Sequence, residues 1–336
     1  MFTPATSALR ATRVARSAAA AVLALALVAC SPGQSPSPTG PSPSGSAACA
    51  TAPEPPANLE GWGAPATAPT ILPILIAPSV VICGSNRVVF SFLDAKNVPM
   101  GAPDRTVALK IFSLGRDPAN PTTAVDGTFI WAIENQVGIY VANVAFPESG
   151  VYGAEFVTAV GGGEPEKVRL TFDVQPTSPV VKVGDKAPAS KTPTAADVGG
   201  DISHLSTDPK PDPTFYETSV DQALAKHEPF VLVFATPKFC TSATCGPTLD
   251  HVKPFAARYP TVTFINVEPY QLKLVDGVLQ PVLDADLRLQ AAPVTDDWHL
   301  VNEPTVYVVD RTGIVRANFE LIFSEAELTT ALDAVK

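Results

Sequence analysis

The sequence is poor in cysteine and in positive charge, and both shortages narrow the range of functions. Five of the 336 residues are cysteine. Lys and Arg number 23 against 33 Asp and Glu, and the formal net charge is −10 at pH 7. A chain of this charge repels polyanions, so nucleic acid and anionic lipid headgroups are not expected as partners.

Long apolar runs are also missing beyond the N-terminal residues, since a spanning helix needs about 20 consecutive apolar residues. Residues 1–29 combine three arginines, an apolar stretch and small residues before Cys30, which is typical of a signal peptide. Leu27-Val-Ala-Cys30 resembles the lipobox of bacterial lipoproteins, in which the cysteine sulfur is lipidated. The resemblance implies a lipid anchor at the extracytoplasmic face of the membrane, in the cell envelope; an ordinary secretory signal is the alternative.

Residues 30–68 contain almost no large apolar side chains and consist mainly of Pro, Ser, Gly, Thr and Ala. Such a composition cannot bury a core and favours extended, polyproline-like conformations. We therefore expect a disordered tether, followed by enough chain for two domains.

Four cysteines remain once Cys30 is set aside, namely Cys49, Cys83, Cys240 and Cys245. An exported protein retains disulfides, and four cysteines allow three pairings. Proximity in the sequence favours Cys49–Cys83 and Cys240–Cys245. The first bridge would close a loop of about 35 residues, stabilise the fold by about 3 kcal/mol, and is interpreted as structural.

Residues 69–176 contain about seven short segments rich in Val, Ile, Phe, Tyr and Thr, separated by turn sequences such as FPESG and GGGEPE. This pattern predicts an immunoglobulin-like β-sandwich. The segment has no histidine, and nothing in it indicates catalysis. Trp131 and Tyr152 could mark a ligand-binding face, although core packing is the commoner role of aromatic residues in strands. VQPTSPVVKVGDKAP then reads as a linker.

Residues 177–336 follow a different pattern, in which helices and buried strands alternate. Ser219 is a candidate N-cap for a short helix, and FVLVFA is a continuous apolar run expected of a strand buried on both faces. Ser324 and Glu327 form a capping box before a last helix. The order predicts a compact α/β domain.

This region resembles the thioredoxin superfamily in several short motifs. EPFVLVFATPKFC is similar to the strand and loop that deliver the first active-site cysteine, and NEPTVYVVDRTGIV to the cis-proline loop and the following hairpin. The resemblance implies a thioredoxin-like fold over residues 177–336, with Pro304 following a cis peptide bond beside the thiols. It also implies that Trp298 lies near the site, unless it is plain core.

The spacing of the two cysteines differs from the C-x-x-C of that family. Cα atoms five apart on a helix are about 8.6 Å from each other, whereas a disulfide needs about 4.4–6.8 Å. Cys240 must therefore precede the helix, and Thr241 and Ser242 are candidate caps of its first turn. In a second alignment, Cys245-Gly-Pro-Thr248 matches the motif, and Cys245 is the attacking thiol.

A thiol near a helix N-terminus has its thiolate form favoured, and Lys238 would add to this effect. The acid that thioredoxins bury in the preceding strand is replaced here by Phe234 and Ala235.

Three hypotheses follow for the function. The first is a membrane-anchored thiol–disulfide oxidoreductase that uses Cys240 and Cys245, with exported protein thiols or a redox partner protein as substrates. The second is a Cu(I)-binding protein, similar to copper chaperones, with His251 and His299 as additional ligands. The third is a non-enzymatic envelope module in which the Cys240–Cys245 bridge is structural. The sequence alone leaves the enzyme question and the direction of exchange open.

Overall fold

The computed structural model describes residues 49–63 and 69–336. The predicted signal peptide, Cys30 and most of the predicted tether lie outside these residues. The described residues belong to one compact unit. Within that part of the chain, no helix combines the length and apolar character needed to cross a membrane. The protein is β-rich and multi-domain.

The N-terminal part consists of two four-stranded sheets whose neighbouring strands are all antiparallel. The first sheet has the order β1-β2-β6-β5 and the second the order β4-β3-β7-β8. The strands are β1 (Ile71–Ala77), β2 (Gly84–Asp94), β3 (Arg105–Ser113), β4 (Thr123–Asp126), β5 (Thr128–Ile133), β6 (Val137–Phe146), β7 (Gly150–Val160) and β8 (Glu166–Val174).

Side-chain alternation explains why these two sheets pack face to face. In β2, Phe90 and Phe92 point into a core shared with the second sheet, while Val89 points to the opposite face. The Phe90 ring lies 5.0 Å from Phe156 of the second sheet and 5.6 Å from Tyr140, between ring centroids. Aromatic packing of this kind holds the two layers together.

The mixed C-terminal sheet has the strand order β10-β9-β13-β14. Strands β9 and β10 are parallel, whereas β13 is antiparallel to β9 and to β14. The strands and helices of this part are α1 (Val220–Ala225), β9 (Phe230–Phe234), α2 (Cys245–Arg258), β10 (Thr263–Val267), β11 (Leu272–Val275), β12 (Val278–Pro281), α3 (Pro293–Asp297), β13 (Thr305–Val309), β14 (Val315–Glu320) and α4 (Glu325–Asp333).

Strand β9 is buried along its whole length, as its unbroken apolar sequence predicts. Val231 and Val233 belong to a core shared with α2 and α4, and Leu232 and Phe234 to a core shared with α1 and α3. Helices thus cover both faces of the sheet, and the loop after β9 leaves from the carboxyl end of this central strand.

Two capping predictions are confirmed, because Ser219 is the N-cap of α1 and Ser324 and Glu327 form the capping box of α4. An inserted hairpin, β11–β12, separates β10 from α3, and its turn uses Asp276 and Gly277 at positive φ. Such a left-handed pair is typical of a two-residue hairpin turn.

The segment predicted as a linker is attached to the C-terminal sheet. The N–H of Gly184 donates to Val315 O (2.9 Å), and the N–H of Ala187 donates to Gly313 O (2.8 Å). Lys186 also forms an antiparallel bridge with Ile314. This segment therefore pairs with the turn before β14 and with the first residue of that strand. Three 3₁₀ helices follow it, Ala195–Val198, Ile202–His204 and Pro213–Tyr216.

Polar contacts join the sandwich to the C-terminal part. Arg87 in β2 donates to Glu327 Oε1 (2.6 Å) and to the carbonyl oxygen of Ile322 (2.9 Å). The N–H of Ser79 donates to Glu320 Oε2 (2.8 Å), and Asn302 Nδ2 donates to Ser79 Oγ (2.8 Å). Glu320 and Ile322 are buried and their partners are partly buried, so the two parts share an ordered interface.

Candidate functional site

Cys240 and Cys245 form a disulfide at the point where the chain enters α2. Their Cα atoms are 6.0 Å apart, within the range that a disulfide requires. Cys240 lies in the loop and Cys245 is the first residue of the helix. The expectation that the extra residues must lie in the loop is confirmed.

The two sulfur atoms differ in exposure. Cys245 is 0 % exposed, whereas Cys240 is partly exposed. The backbone N–H of Cys245 donates to Cys240 Sγ at 3.3 Å, and Ser242 Oγ lies 3.3 Å from the same sulfur. Cys240 therefore combines access from solvent with a backbone hydrogen-bond donor at the start of a helix, where a thiolate is favoured.

The loop between β9 and α2 is held by contacts to three other segments. The N–H of Lys238 donates to Thr207 Oγ1, and its ammonium group donates to Leu279 O in β12, both at 3.2 Å. Ala243 adopts a positive φ of 59°, which lets the chain turn into the helix. The lysine thus anchors the loop to the inserted hairpin.

Glu303 is a site residue that the sequence analysis did not find. It is 9 % exposed and immediately precedes Pro304. Its Oε1 accepts hydrogen bonds from the N–H (3.3 Å) and hydroxyl (3.2 Å) of Thr241, the residue after Cys240. The Ser242 hydroxyl donates to the Glu303 carbonyl oxygen at 3.2 Å. The peptide bond between Glu303 and Pro304 is cis, as predicted.

The second carboxylate oxygen of Glu303 accepts a hydrogen bond from the Tyr270 hydroxyl at 2.8 Å. Burial raises the pKa of Tyr270, and the hydrogen bond and charge of Glu303 raise it further. The phenol therefore stays protonated and acts as a donor. The available sequence signal for Glu303 was its position directly before Pro304. Its hydrogen-bond partners, Thr241 and Tyr270, are remote in sequence.

The predicted caps of α2 were wrong in detail. The N-cap is Thr244, and no side-chain hydrogen bond caps the helix. The Thr241 hydroxyl binds Glu303 instead, and the Ser242 hydroxyl lies 2.8 Å from Thr244 Oγ1. These hydroxyl groups bind the loop and its neighbours because the helix begins three residues later than Ser242.

Another acid, Glu268, lies just after β10 on the side of the loop that faces Thr207. Burial raises the pKa of Glu268, and the N–H of Thr207 donates to its Oε1 at 2.6 Å. The neighbouring Asp208 forms an ion pair with Lys253 of α2 at 2.6 Å. Glu268 and Tyr270 line a cavity of about 440 Å³. These groups fix the segment before α1 against the C-terminal sheet.

The two histidines of the copper hypothesis lie in different surroundings. The His251 ring packs 5.2 Å from Phe323 and 6.2 Å from Phe255, between centroids, and burial lowers its pKa. His299 is exposed after α3. Among residues 49–63 and 69–336, no three His, Cys, Asp or Glu side chains are grouped closely enough to hold a metal ion.

Trp298 and Thr248 belong to the core rather than to an open site. Trp298 is 0 % exposed, and its ring lies 4.6 Å from Tyr307 and 5.9 Å from Phe234, between centroids. Thr248 is buried and its hydroxyl donates to Leu321 O at 3.1 Å. The Tyr152 hydroxyl donates to Glu148 O in the sandwich core, while Trp131 is partly exposed against Phe129.

The remaining cysteines, Cys49 and Cys83, form the other disulfide, with Cα atoms 6.3 Å apart. Proximity in the sequence had favoured this pairing. The N–H of Cys83 donates to Gln175 O at 3.2 Å, next to the end of β8. The bridge thus ties the first described residues to the sandwich, and no helix begins at either cysteine.

No family model matches this chain, and no curated protein matches it. Among solved structures, the crystal structure of MtrC from Shewanella baltica OS185 shows a partial likeness at 14 % identity, with a TM-score of 0.20. The likeness covers 55 % of this chain and 32 % of the MtrC chain. A TM-score this low indicates nothing about function, so the function is inferred from the geometry of the site.

Proposed function

We propose that the protein is a thiol–disulfide oxidoreductase of the cell envelope that acts through Cys240 and Cys245. The observation that carries the proposal is the asymmetry of the pair: one sulfur is partly exposed in a loop, and its partner is buried at the first residue of a helix. Exchange needs one accessible sulfur and a second thiol that can close the bridge again.

In this proposal Cys240 is the sulfur that exchanges with the substrate. A substrate thiolate attacks it in the disulfide form, and its own thiolate attacks a substrate disulfide in the reverse reaction. Cys245 is the resolving cysteine. A substrate thiolate attacks Cys240 Sγ, the bond to Cys245 breaks, and the electron pair leaves on Cys245 as a thiolate at the start of α2. A second substrate thiol then displaces Cys240 and releases a substrate disulfide. Two electrons and two protons pass to the pair, and the reverse sequence reduces a substrate disulfide.

The proposed fold is a thioredoxin-like C-terminal domain behind an immunoglobulin-like sandwich. A parallel β9–β10 pair, antiparallel β13 and β14, and helices on both faces support it. We include the lipid anchor at Cys30, which the lipobox-like sequence supports. The proposed substrates are exported protein thiols or a redox partner protein.

The test is a redox titration of the purified protein carrying Cys30→Ser, a change that should also release it from membranes. Glutathione buffers of graded ratio, followed by alkylation and peptide mapping, measure each pair separately. We expect Cys240–Cys245 to open and close reversibly in the folded protein. Cys49–Cys83 should stay oxidised, because no helix start favours its thiolates.

The contrary result is a Cys240–Cys245 bridge at least as hard to reduce as Cys49–Cys83 and closed to glutathione in the folded state. That result would make the bridge structural and remove the enzymatic proposal. Stoichiometric Cu(I) uptake by the reduced pair, abolished by either Cys→Ser change, would support the copper hypothesis instead.

A further inference from the structure

We infer that Glu303 is a positioning residue that stabilises the disulfide form of the Cys240–Cys245 pair. The inference rests on the proposed function, because it concerns the equilibrium of the same two sulfurs. Glu303 is 62 residues from Thr241 in sequence, yet its carboxylate binds the backbone next to Cys240. Strand β9 has no acid, and Glu303 supplies one next to the loop that follows this strand.

Glu303 first acts as a clamp on the loop between the cysteines. Thr241 donates to its carboxylate through both N–H and hydroxyl, and Ser242 donates to its carbonyl oxygen. Tyr270 fixes the other carboxylate oxygen from outside the loop. Two consecutive loop residues are therefore held in the conformation that brings Cys240 within bonding distance of Cys245. Holding the loop in this conformation lowers the conformational entropy that closing the bridge would cost, so the clamp favours closure.

Glu303 also acts through its charge. The backbone N–H of Thr241 is the first donor after Cys240, and it is occupied by a carboxylate instead of remaining available to a thiolate. A negative charge beside Cys240 disfavours a second negative charge on its sulfur. The disulfide carries no charge and escapes this repulsion. Glu303 therefore destabilises the reduced form relative to the oxidised form.

Among the described residues, no charged group forms an ion pair with Glu303 that would cancel this effect. The Lys238 ammonium donates to Leu279 O, away from Glu303. Lys253 of α2 forms ion pairs with Asp250 of the same helix and with Asp208, which lies before α1. Glu268 is a further acid, bound to Thr207. The groups that contact the Glu303 carboxylate are the neutral donors of Thr241 and Tyr270.

The experiment compares Glu303→Gln with the parent protein in glutathione buffers at pH 7, both carrying Cys30→Ser. Glutamine keeps the size and an acceptor oxygen but removes the charge. We expect the equilibrium to shift toward the dithiol by about tenfold, with a lower pKa of the Cys240 thiol in the reduced variant. Glu303→Asp keeps the charge and should lie within about threefold of the parent protein.

Asp310→Asn is the matched control, because Asp310 lies just beyond the far end of β13 from Pro304. Burial raises its pKa, but hydrogen bonds from Thr312, Ile314 and Arg316 outweigh burial and lower it to about 2, so this carboxylate is charged. The control should leave the glutathione equilibrium unchanged. An equal shift in Asp310→Asn would make the effect a general response to lost charge and overturn the inference.

A second variant covers the case in which Glu303→Gln does not fold. Thr241→Val removes one donor of the clamp at an exposed position and should shift the equilibrium in the same direction by about twofold to threefold. Unchanged equilibria in the folded variants would overturn the role of Glu303 while leaving the exchange reaction intact. A parent bridge that never exchanges would instead refute the proposed function.

Discussion

The His251 side chain shows how its surroundings decide the charge of a single residue. It packs against Phe255 and Phe323, and burial lowers its pKa while Glu325 partly opposes that shift. The neutral ring therefore fits an apolar pocket on α2. In the sequence, His251 was considered as a copper ligand. A neutral ring packed in an apolar pocket has a different role.

The lowered pKa predicts how stability depends on pH at this residue. The unfolded chain binds the His251 proton at about pH 6.5, and the folded protein binds it only at lower pH. The contribution of His251 to stability is therefore complete above about pH 6.5 and decreases as pH falls toward the folded pKa. We expect His251→Phe to remove this part of the acid destabilisation in urea unfolding measured from pH 7.5 to 5.

His227→Asn is the control for this prediction. His227 is exposed and has a positive φ of 55°, a conformation that asparagine accepts readily. Its unfolding curve should follow the parent protein at each pH. Parallel curves for His251→Phe and the parent protein would show that His251 does not titrate in this window.

The sequence predicted where the two cysteines lie relative to the helix, but it did not predict which residues bind the loop between them. The spacing of Cys240 and Cys245 requires Cys240 to precede the helix, because two residues five apart within one helix are too distant for a disulfide. Glu303 has no such local signature. Its function in the loop depends on Thr241 and Tyr270, which only the tertiary fold brings together.

At the scale of elements, helix α4 carries the most complete local signal. The Ser324 side chain accepts a hydrogen bond from the N–H of Glu327, and the Glu327 carboxylate accepts one from the N–H of Ser324. We predict that Ser324→Ala lowers the free energy of unfolding by about 1 kcal/mol, measured by urea denaturation. Thr330→Ala, on the exposed side of the same helix, should change it by less than about 0.5 kcal/mol. Equal losses would mean that the cap adds nothing specific.

Strands were easier to predict than the segments between them. The sandwich segments rich in Val, Ile, Phe, Tyr and Thr form strands β2, β3, β5, β6, β7 and β8, and each contributes side chains to the shared core. The short strand β4 and the 3₁₀ helices carry too few residues to show a period. The strands of the inserted hairpin are also short, at four residues each.

At the scale of the whole molecule, the interface between the sandwich and the C-terminal part contains a partly buried ion pair. The Arg87 side chain is 12 % exposed and pairs with Glu327, whose pKa is lowered because the hydrogen bond and charge of Arg87 outweigh burial. Removing one partner of such a pair leaves the other partly desolvated and unpaired. The two parts should therefore unfold together in the parent protein.

We predict that Arg87→Ala costs about 2 kcal/mol, discounted for the partial exposure of Glu327, and separates the unfolding of the two parts. Peptide-level hydrogen exchange in increasing urea would follow each part separately. Arg116→Ala is the control, since Arg116 pairs with Glu148 inside the sandwich and is largely exposed. The prediction fails if both variants keep a single transition of the same midpoint.

The segment that pairs with the start of β14 limits where the protein can be shortened. A sheet edge with free N–H and C=O groups is a template for pairing with other chains, and β14 is an edge strand of the C-terminal sheet. Residues 184–187 occupy part of that edge. A shortened version that begins after Ala187 would uncover this part of the edge and favour self-association into aggregates, whereas one that begins before Val180 would keep this part paired.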